Sequence, residues 1–391
     1  VMALELNKLT EQVSGMGETL AVRSVELAAR LPQAQAALKS MVYDDPALQR
    51  KIERALSFHW AGAIPTNEPA HAFFPCPAHP ERANIIAADG SQLYPNRHGI
   101  ALYYLINTGS IIFRHGLDDA PTCASEPHLF YKNDDLYLGE HLIQGTLVDS
   151  QRDLAELREL VRLTAFEKET VPMLAMVDNG LLLYLGLHSS NQRRSDEILR
   201  DYLKALSEIK TTGAAISGVI DRPRAANVLR LLHLAELDKN DFQAEDLRQL
   251  GDYAQLTDRM LFESLEPGER SALFINASPE NMEKYMPRGQ KIMFFYVNTG
   301  SVDRPGILRV ELPEWVAIQP RQLELVHAGV VEQARFGGGF PYVLMRAHEL
   351  AVVTWAQRGQ LEEMVAGSML RSGVSPTISR KAQGKQWTDG G

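Results

Sequence analysis

The chain of 391 residues reads as an α/β protein built on a mixed sheet flanked by helices. Three observations predict this. Short apolar runs end at carboxylates twice, at Asp89 and at Asp178. Stretches of helical period alternate with such runs in the order strand, helix, strand, helix, the mark of a sheet with crossover helices. Breaks rich in Gly and Asn within the first group of runs add one antiparallel hairpin, which makes the sheet mixed.

From about Leu4 to Phe58 apolar residues recur at helical spacing, most clearly from Val25 to Met41, and predict an N-terminal helical extension. Ala61 to Glu81 carries five prolines and little periodicity, as a linker does. Asn84 to Ala88 is a strand ending at Asp89-Gly90-Ser91. The run Ile100 to Ile106, the turn-like Asn107-Thr108-Gly109-Ser110 and Ile111 to Phe113 supply the hairpin. Asp149 to Lys168 is a helix, and Met173 to Val177 a short strand ending at Asp178. Asp196 to Lys210 is helical, Ala214 to Ile220 a strand, and a further helix runs through Leu237. Strands follow at Ile292 to Val297 and Ile307 to Leu312, then Gly337-Gly338-Gly339 and a helix from Pro341 to Trp355. After about Ser375 the composition is that of a flexible tail. No internal repeat is present.

Composition limits the function classes. Hydrophobic residues at 45% and charged ones at 23% are those of a globular chain with a substantial core. A net charge of -9 excludes a protein that holds nucleic acid by its overall field, so any DNA contact must be local. Cys76 and Cys123 are far apart and in no metal-ligand spacing, which speaks against a disulfide framework or a zinc site and for a reducing compartment. Glu5 follows the short N-terminal apolar stretch at once, and no run of about 18 apolar residues occurs. Signal peptide and membrane span are therefore not expected, and the cytoplasm is.

Asp89 and Asp178 are the sharpest chemical feature. Carboxylates at the ends of neighbouring strands repel one another unless protonated or shared by a cation. Hard divalent ions, two of them about 3.5–4 Å apart, would clamp an attacking water and a leaving oxygen at a phosphodiester. Each motif also reads as an ordinary turn, since Asp, Gly, Ser and Asn-Gly serve turns for backbone reasons. Between them the helix Asp149 to Lys168 carries Glu156, on one face with Leu160 and Leu163, and its competitor Glu159. Asp, hairpin, Glu on a helix, Asp is the order of a ribonuclease H-like active site.

Six segments in order extend the likeness. Ile86-Ala87-Ala88-Asp89-Gly90-Ser91-Gln92 and Met176-Val177-Asp178-Asn179-Gly180-Leu181-Leu182 come first. Val219-Ile220-Asp221-Arg222-Pro223-Arg224 and Phe295-Tyr296-Val297-Asn298-Thr299-Gly300 follow. Arg309-Val310-Glu311-Leu312-Pro313-Glu314-Trp315 and Gly339-Phe340-Pro341-Tyr342 through Arg346-Ala347-His348-Glu349 complete the set. Together, over roughly Asn84 to Thr354, the chain resembles the NurA family of nucleases. One motif departs: Asp178-Asn179-Gly180 stands where Asp-Gly-Ser is usual.

The resemblance implies a ribonuclease H-like nuclease domain over residues 71–373, between an extension at 1–70 and a tail at 374–391. It implies metal ligation by Asp89, Asp178 and a helix glutamate, Glu156 with Glu159 as the alternative, and sets Tyr342 and His348 near the metals, His348 as a further ligand or as a proton donor to the leaving oxygen. It also implies two manganese or magnesium ions, 5′-to-3′ exonuclease with single-strand endonuclease activity, a homodimer, and a HerA-type hexameric ATPase as partner in DNA end resection and double-strand break repair. His348 shares a face with Leu344, Met345, Ala351 and Val352 and is expected to point inward. Tyr342 could orient a phosphate or simply be a buried aromatic. Arg193, Arg194, Arg222 and Arg224 are candidates for DNA phosphates, and Arg380, Lys381 and Lys385 in the tail for DNA or the motor. Asp221 reads as a turn residue. Two other functions fit the same residues: an inactive adaptor of the ATPase, and a nucleotide phosphohydrolase.

Overall fold

The computed structural model describes residues 5–167, 171–183, 192–237 and 241–376. A large sheet organises them. Its strands are β1 (Ala63–Pro65), β2 (Ala83–Leu93), β3 (Tyr104–His115), β4 (Thr122–Phe130), β5 (Met173–Asp178), β6 (Ala215–Ile220), β7 (Phe274–Asn276), β8 (Ile292–Asn298) and β9 (Ile307–Pro313), in the order β1-β7-β8-β9-β6-β5-β2-β3-β4. Strands β2, β5 and β6 run parallel, and β3, β4 and β9 run antiparallel to their neighbours. The parallel centre is buried on both faces, which is why Met173 to Val177 is apolar without alternation. A meander, a helix and a return strand beside the first is the ribonuclease H-like arrangement that the residue order predicts.

Helices cover both faces. On one lie α3 (Gly145–Phe166) and α4 (Gln192–Thr211); on the other lie α6 (Pro320–Phe336) and α7 (Tyr342–Ala351). The sides follow from alternation along the strands. A Cβ on Gly90 would strike Arg152 and Glu156 of α3, and one on Gly109 would strike the backbone of α7 at Ala347 and Ala351. At the other end of the sheet α1 (Thr10–Ser40) and α2 (Pro46–Leu56) form the N-terminal helical extension. Leu38, Leu48, Ile52 and Trp60 share a second core with α5 (Asn227–Glu236) and with Phe274, Phe294 and Tyr296.

Three sequence expectations need correction. Asp89-Gly90-Ser91 is no turn: β2 runs through it to Leu93, and Gly90 keeps ordinary extended backbone. Asn107-Thr108-Gly109-Ser110 likewise lies within β3, where Gly109 pairs with Asp89, so the hairpin closes elsewhere, between Leu93 and Tyr104. Its small and polar residues serve helix docking rather than chain reversal. Third, the proline-rich stretch from Ala61 to Glu81 is not only a linker. β1 forms one edge of the sheet, and Phe73–Phe74 pairs with Arg270–Ser271. A further helix, α8 (Trp355–Arg371), follows α7; its Thr354 and Gln357 form a capping box, but it buries no residue, so no apolar stripe announced it. The tail residues Arg380, Lys381 and Lys385 lie outside the described residues.

Candidate active site

Asp89 sits where α7 presses closest to the sheet. Gly109, opposite it on β3, leaves room for the helix, since a Cβ there would lie 2.3 Å from the Ala347 carbonyl oxygen. Asn107 donates to the carbonyls of Leu350 and Ala351 at 3.2 and 2.7 Å, and the Ser91 hydroxyl also donates to Ala351. These bonds satisfy carbonyls that a helix C-terminus otherwise leaves bare. The docking sets His348 over Asp89, with Nδ1 2.7 Å from Oδ2, while Asp89 Oδ1 accepts from the Gly90 amide at 2.8 Å. His348 does not point inward as expected: its side chain is 63% exposed, which leaves Nε2 reachable from solvent.

Asp178 is the neighbour of Asp89 across the parallel pair. Ala88 and Val177 are in register, so the next residues, Asp89 and Asp178, project from the same face on strands about 4.8 Å apart. Beyond Asp178 the strand β5 stops while β2 continues to Leu93, which opens a notch in the sheet. Through it groups from both faces feel one another. Burial, then the charge of Asp89, pushes the Asp178 carboxyl up to about 6. Burial, followed by Asp153 and Asp89, holds Glu156 of α3 well above the usual carboxylate range. Arg152 is the counter-cation there, at 2.6 Å from Asp153 and 3.3 Å from Glu156.

The loop behind Asp178 is pinned from below. Asn179 has φ 92°, a conformation that Gly enters freely and Asn better than most residues, so the departure from Asp-Gly-Ser keeps the backbone path. The amide of Leu181 donates to Glu311 Oε2 at 2.9 Å, and that of Leu183 to the Tyr285 hydroxyl at 2.8 Å. Glu311 is itself held by buried Arg309, whose Nε and Nη2 donate at 3.0 and 2.8 Å. Sequence reasoning missed Arg152, Asp153 and this pair. The alternation of Arg309 and Glu311 within an otherwise apolar strand was the available signal.

Other candidates fall elsewhere. Glu159 accepts from Arg162 and from Ser110 at 2.7 Å; burial raises its carboxyl and these bonds outweigh it, leaving a lowered value and a carboxylate already occupied. Tyr342 packs edge-on against Phe113, six residues along α7 from His348, and is not among the groups gathered at the notch. Arg193 and Arg194 stand near Glu197 on α4, and Arg222 lies 3.9 Å from Asp221. Arg224 alone of the four borders the cavity beside Asp178.

The donor set at the notch suits a hard divalent cation in type: oxygen ligands, mostly buried, whose carboxyls at Asp153, Glu156 and Asp178 are raised first by burial and then by neighbouring carboxylates, against the lowering effect of Arg152 on Asp153 and Glu156. It is not a finished cage. Among the described residues no three His, Cys, Asp or Glu side chains converge as placed. Asp89 is turned to His348 and Glu156 to Arg152.

The solved structures similar to this chain include the NurA nuclease from Sulfolobus solfataricus, at 12% identity, 90% of this chain, 98% of that one and TM-score 0.48. The catalytic domain of human Endonuclease V is similar at 14% identity, 81% and 96% coverage and TM-score 0.32. LC9-RNase H1, a type 1 RNase H with the type 2 active-site motif, is similar at 12% identity, 40% and 72% coverage and TM-score 0.22. No curated protein matches the sequence. Among the described residues no helix is long and apolar enough to cross a membrane. The family model described as NurA domain matches residues 83–353, from β2 to just past α7, and the chain belongs to the NurA family.

Proposed function

We propose that the chain is a divalent-metal-dependent DNA nuclease whose centre is the notch formed by Asp89, Asp178 and Glu156. Membership of the NurA family supports a nuclease, a phosphodiester hydrolase. The observation that carries the rest is the pairing of Asp89 and Asp178 on one face where β5 ends, with Glu156 reaching the same gap from α3.

Asp89, Asp178 and Glu156 would hold manganese or magnesium, two ions in all, which when bound would lower the pKa of water and polarise the phosphate. The chain's own groups do the remaining work. Glu156 must leave Arg152 to serve as a ligand, and a bound cation would favour the ionised form of Asp178, whose carboxyl is pushed up by burial and by Asp89. His348, tethered through Nδ1 to Asp89, is placed to hold or pass a proton at the exposed Nε2.

The finer reading follows the family: 5′-to-3′ exonuclease with single-strand endonuclease activity, a homodimer, cytoplasmic location, and work with a HerA-type ATPase in end resection and double-strand break repair. A motor that grips the strand would let the nuclease remain acidic at -9. The test is cleavage of linear and circular single-stranded DNA by the purified chain with manganese, beside Asp89→Ala and Asp178→Ala. Loss of cleavage in both variants is expected. Cleavage that persists in both, or a wild-type chain that hydrolyses only mononucleotides, overturns the proposal.

A further inference from the structure

Arg152 is a cation set among carboxylates. Its Nη2 lies 2.6 Å from Asp153 and its Nε 3.3 Å from Glu156, and the charges of Asp89 and Asp178 reach Glu156 as well. The aliphatic part of the side chain runs over the slot at Gly90, where a Cβ would stand 2.5 Å from Arg152 Cγ and 3.1 Å from Cδ. A guanidinium and a divalent cation cannot share one carboxylate closely, because like charges in a half-buried site repel strongly. Whatever cation enters at Glu156 therefore competes with Arg152.

A second acceptor for the guanidinium stands one side chain away. Asp149 precedes Arg152 by three residues on α3, so the two lie on one face of the helix. Arg152 Nη1 already donates to Gln92 Oε1 at 3.2 Å. Gln92 Nε2 in turn donates to Asp149 Oδ1 at 2.9 Å, and the Tyr94 hydroxyl donates to the same oxygen at 2.6 Å. Among the described residues no hydrogen bond reaches the other oxygen, Oδ2, which leaves it open to a charge-assisted bond.

We infer that Arg152 is a positioning residue of the metal centre: its guanidinium neutralises Asp153 and Glu156 in the metal-free chain and moves to Asp149 when a divalent cation binds, which frees Glu156. Arg152 acts through those carboxylates, and Gln92 and Tyr94 act by holding Asp149 in place. The inference rests on the metal-centre reading proposed above. It sets the affinity of that centre, because removing a competing cation strengthens metal binding and removing its second acceptor weakens it.

The experiment measures uptake of Mn2+ by the full chain, without DNA, from the loss of the aqueous Mn2+ signal in electron paramagnetic resonance. Arg152→Gln should bind Mn2+ about tenfold more tightly than wild type, and Arg152→Lys, which keeps the charge, should bind as weakly as wild type. Asp149→Asn should weaken binding about tenfold, and should lose most of that effect when Arg152→Gln is already present. A merely structural role would lower the unfolding midpoint of Arg152→Gln without tightening Mn2+. Equal or weaker Mn2+ binding by Arg152→Gln overturns the inference, as does an Asp149→Asn effect of the same size in both backgrounds. Should Arg152→Gln not fold, Asp149→Asn alone remains decisive, and wild-type affinity in that variant overturns the inference. Wild-type and Arg152→Gln chains that both take up no Mn2+ refute the metal-centre reading with it. Binding that Asp89→Ala abolishes and Arg152→Gln leaves unchanged refutes the role of Arg152 alone.

Discussion

Replacing Gly90 by Ala tests whether the Asp-Gly-Ser motif is a slot rather than a turn. Gly90 keeps extended backbone that any residue adopts, so alanine brings no conformational penalty of its own. The conflict is with space on the α3 face. The new methyl would lie 2.5 Å from Arg152 Cγ and 2.8 Å from Glu156 Oε1. To reach ordinary carbon–carbon contact near 3.5 Å, Arg152 must retreat by about 1 Å, and Glu156 with it or away from it.

Both neighbours are side chains, one of them 21% exposed, so they can yield. A destabilisation of about 1–3 kcal/mol, the usual cost of overpacking, is the upper range. Activity should suffer more, because a misplacement of about 1 Å in a catalytic group can cost on the order of 100-fold. The assay pairs thermal unfolding with manganese-dependent cleavage of single-stranded DNA. A small loss of melting temperature with a large loss of rate is expected. Wild-type rate in a folded Gly90→Ala chain would refute the argument, since the space held by Arg152 and Glu156 is the only thing that disfavours a Cβ at this extended position.

Other outcomes follow from the same geometry. Gly109→Ala sets a Cβ 2.3 Å from the Ala347 oxygen, so α7 must shift, and fluorescence or chemical unfolding should register a loss of about 1–3 kcal/mol together with uncoupling of His348 from Asp89. In the metal-free protein the Asp178 carboxyl should titrate by NMR at about 6 and move down in Asp89→Asn. Because its folded value is raised above the ordinary 3.8, that group opposes folding as pH rises through the window from about 4 to about 6, and metal binding should weaken as pH falls below about 6. An Asp178 titration unaffected by Asp89→Asn contradicts the pairing. Glu311→Gln leaves an acceptor for the Leu181 amide but strands buried Arg309. It should cost about 3–5 kcal/mol in denaturant unfolding, far more than loss of a surface charge.

Much of this was legible in the residues. The strands from Met173 and Ala215 carry uninterrupted apolar side chains because both their faces are buried, and such runs declare themselves. The order of Asp89, Glu156 and Asp178 along alternating elements gave the site's outline, and the structure sets the two aspartates on adjacent strands. What misled was small residues. Gly90 and Gly109 look like turn formers, yet each is there so that a helix can approach a straight strand, and spacing alone does not distinguish the two uses. The direction of His348 was misjudged for a related reason. Helical periodicity places it with apolar neighbours, but the helix ends close by, and its imidazole lies along the rim with only Nδ1 engaged. The Glu311 anchor depends on a contact 130 residues away, which no local pattern encodes.

The most direct test of the metal centre is diffraction from crystals soaked in manganese, with the ions located by their anomalous signal. Two ions in direct contact with carboxylate oxygens of Asp89, Asp178 and Glu156, the last released from Arg152, is the predicted result. Manganese ordered elsewhere, with Glu156 still bound to Arg152 and no ion between the two aspartates, would contradict it.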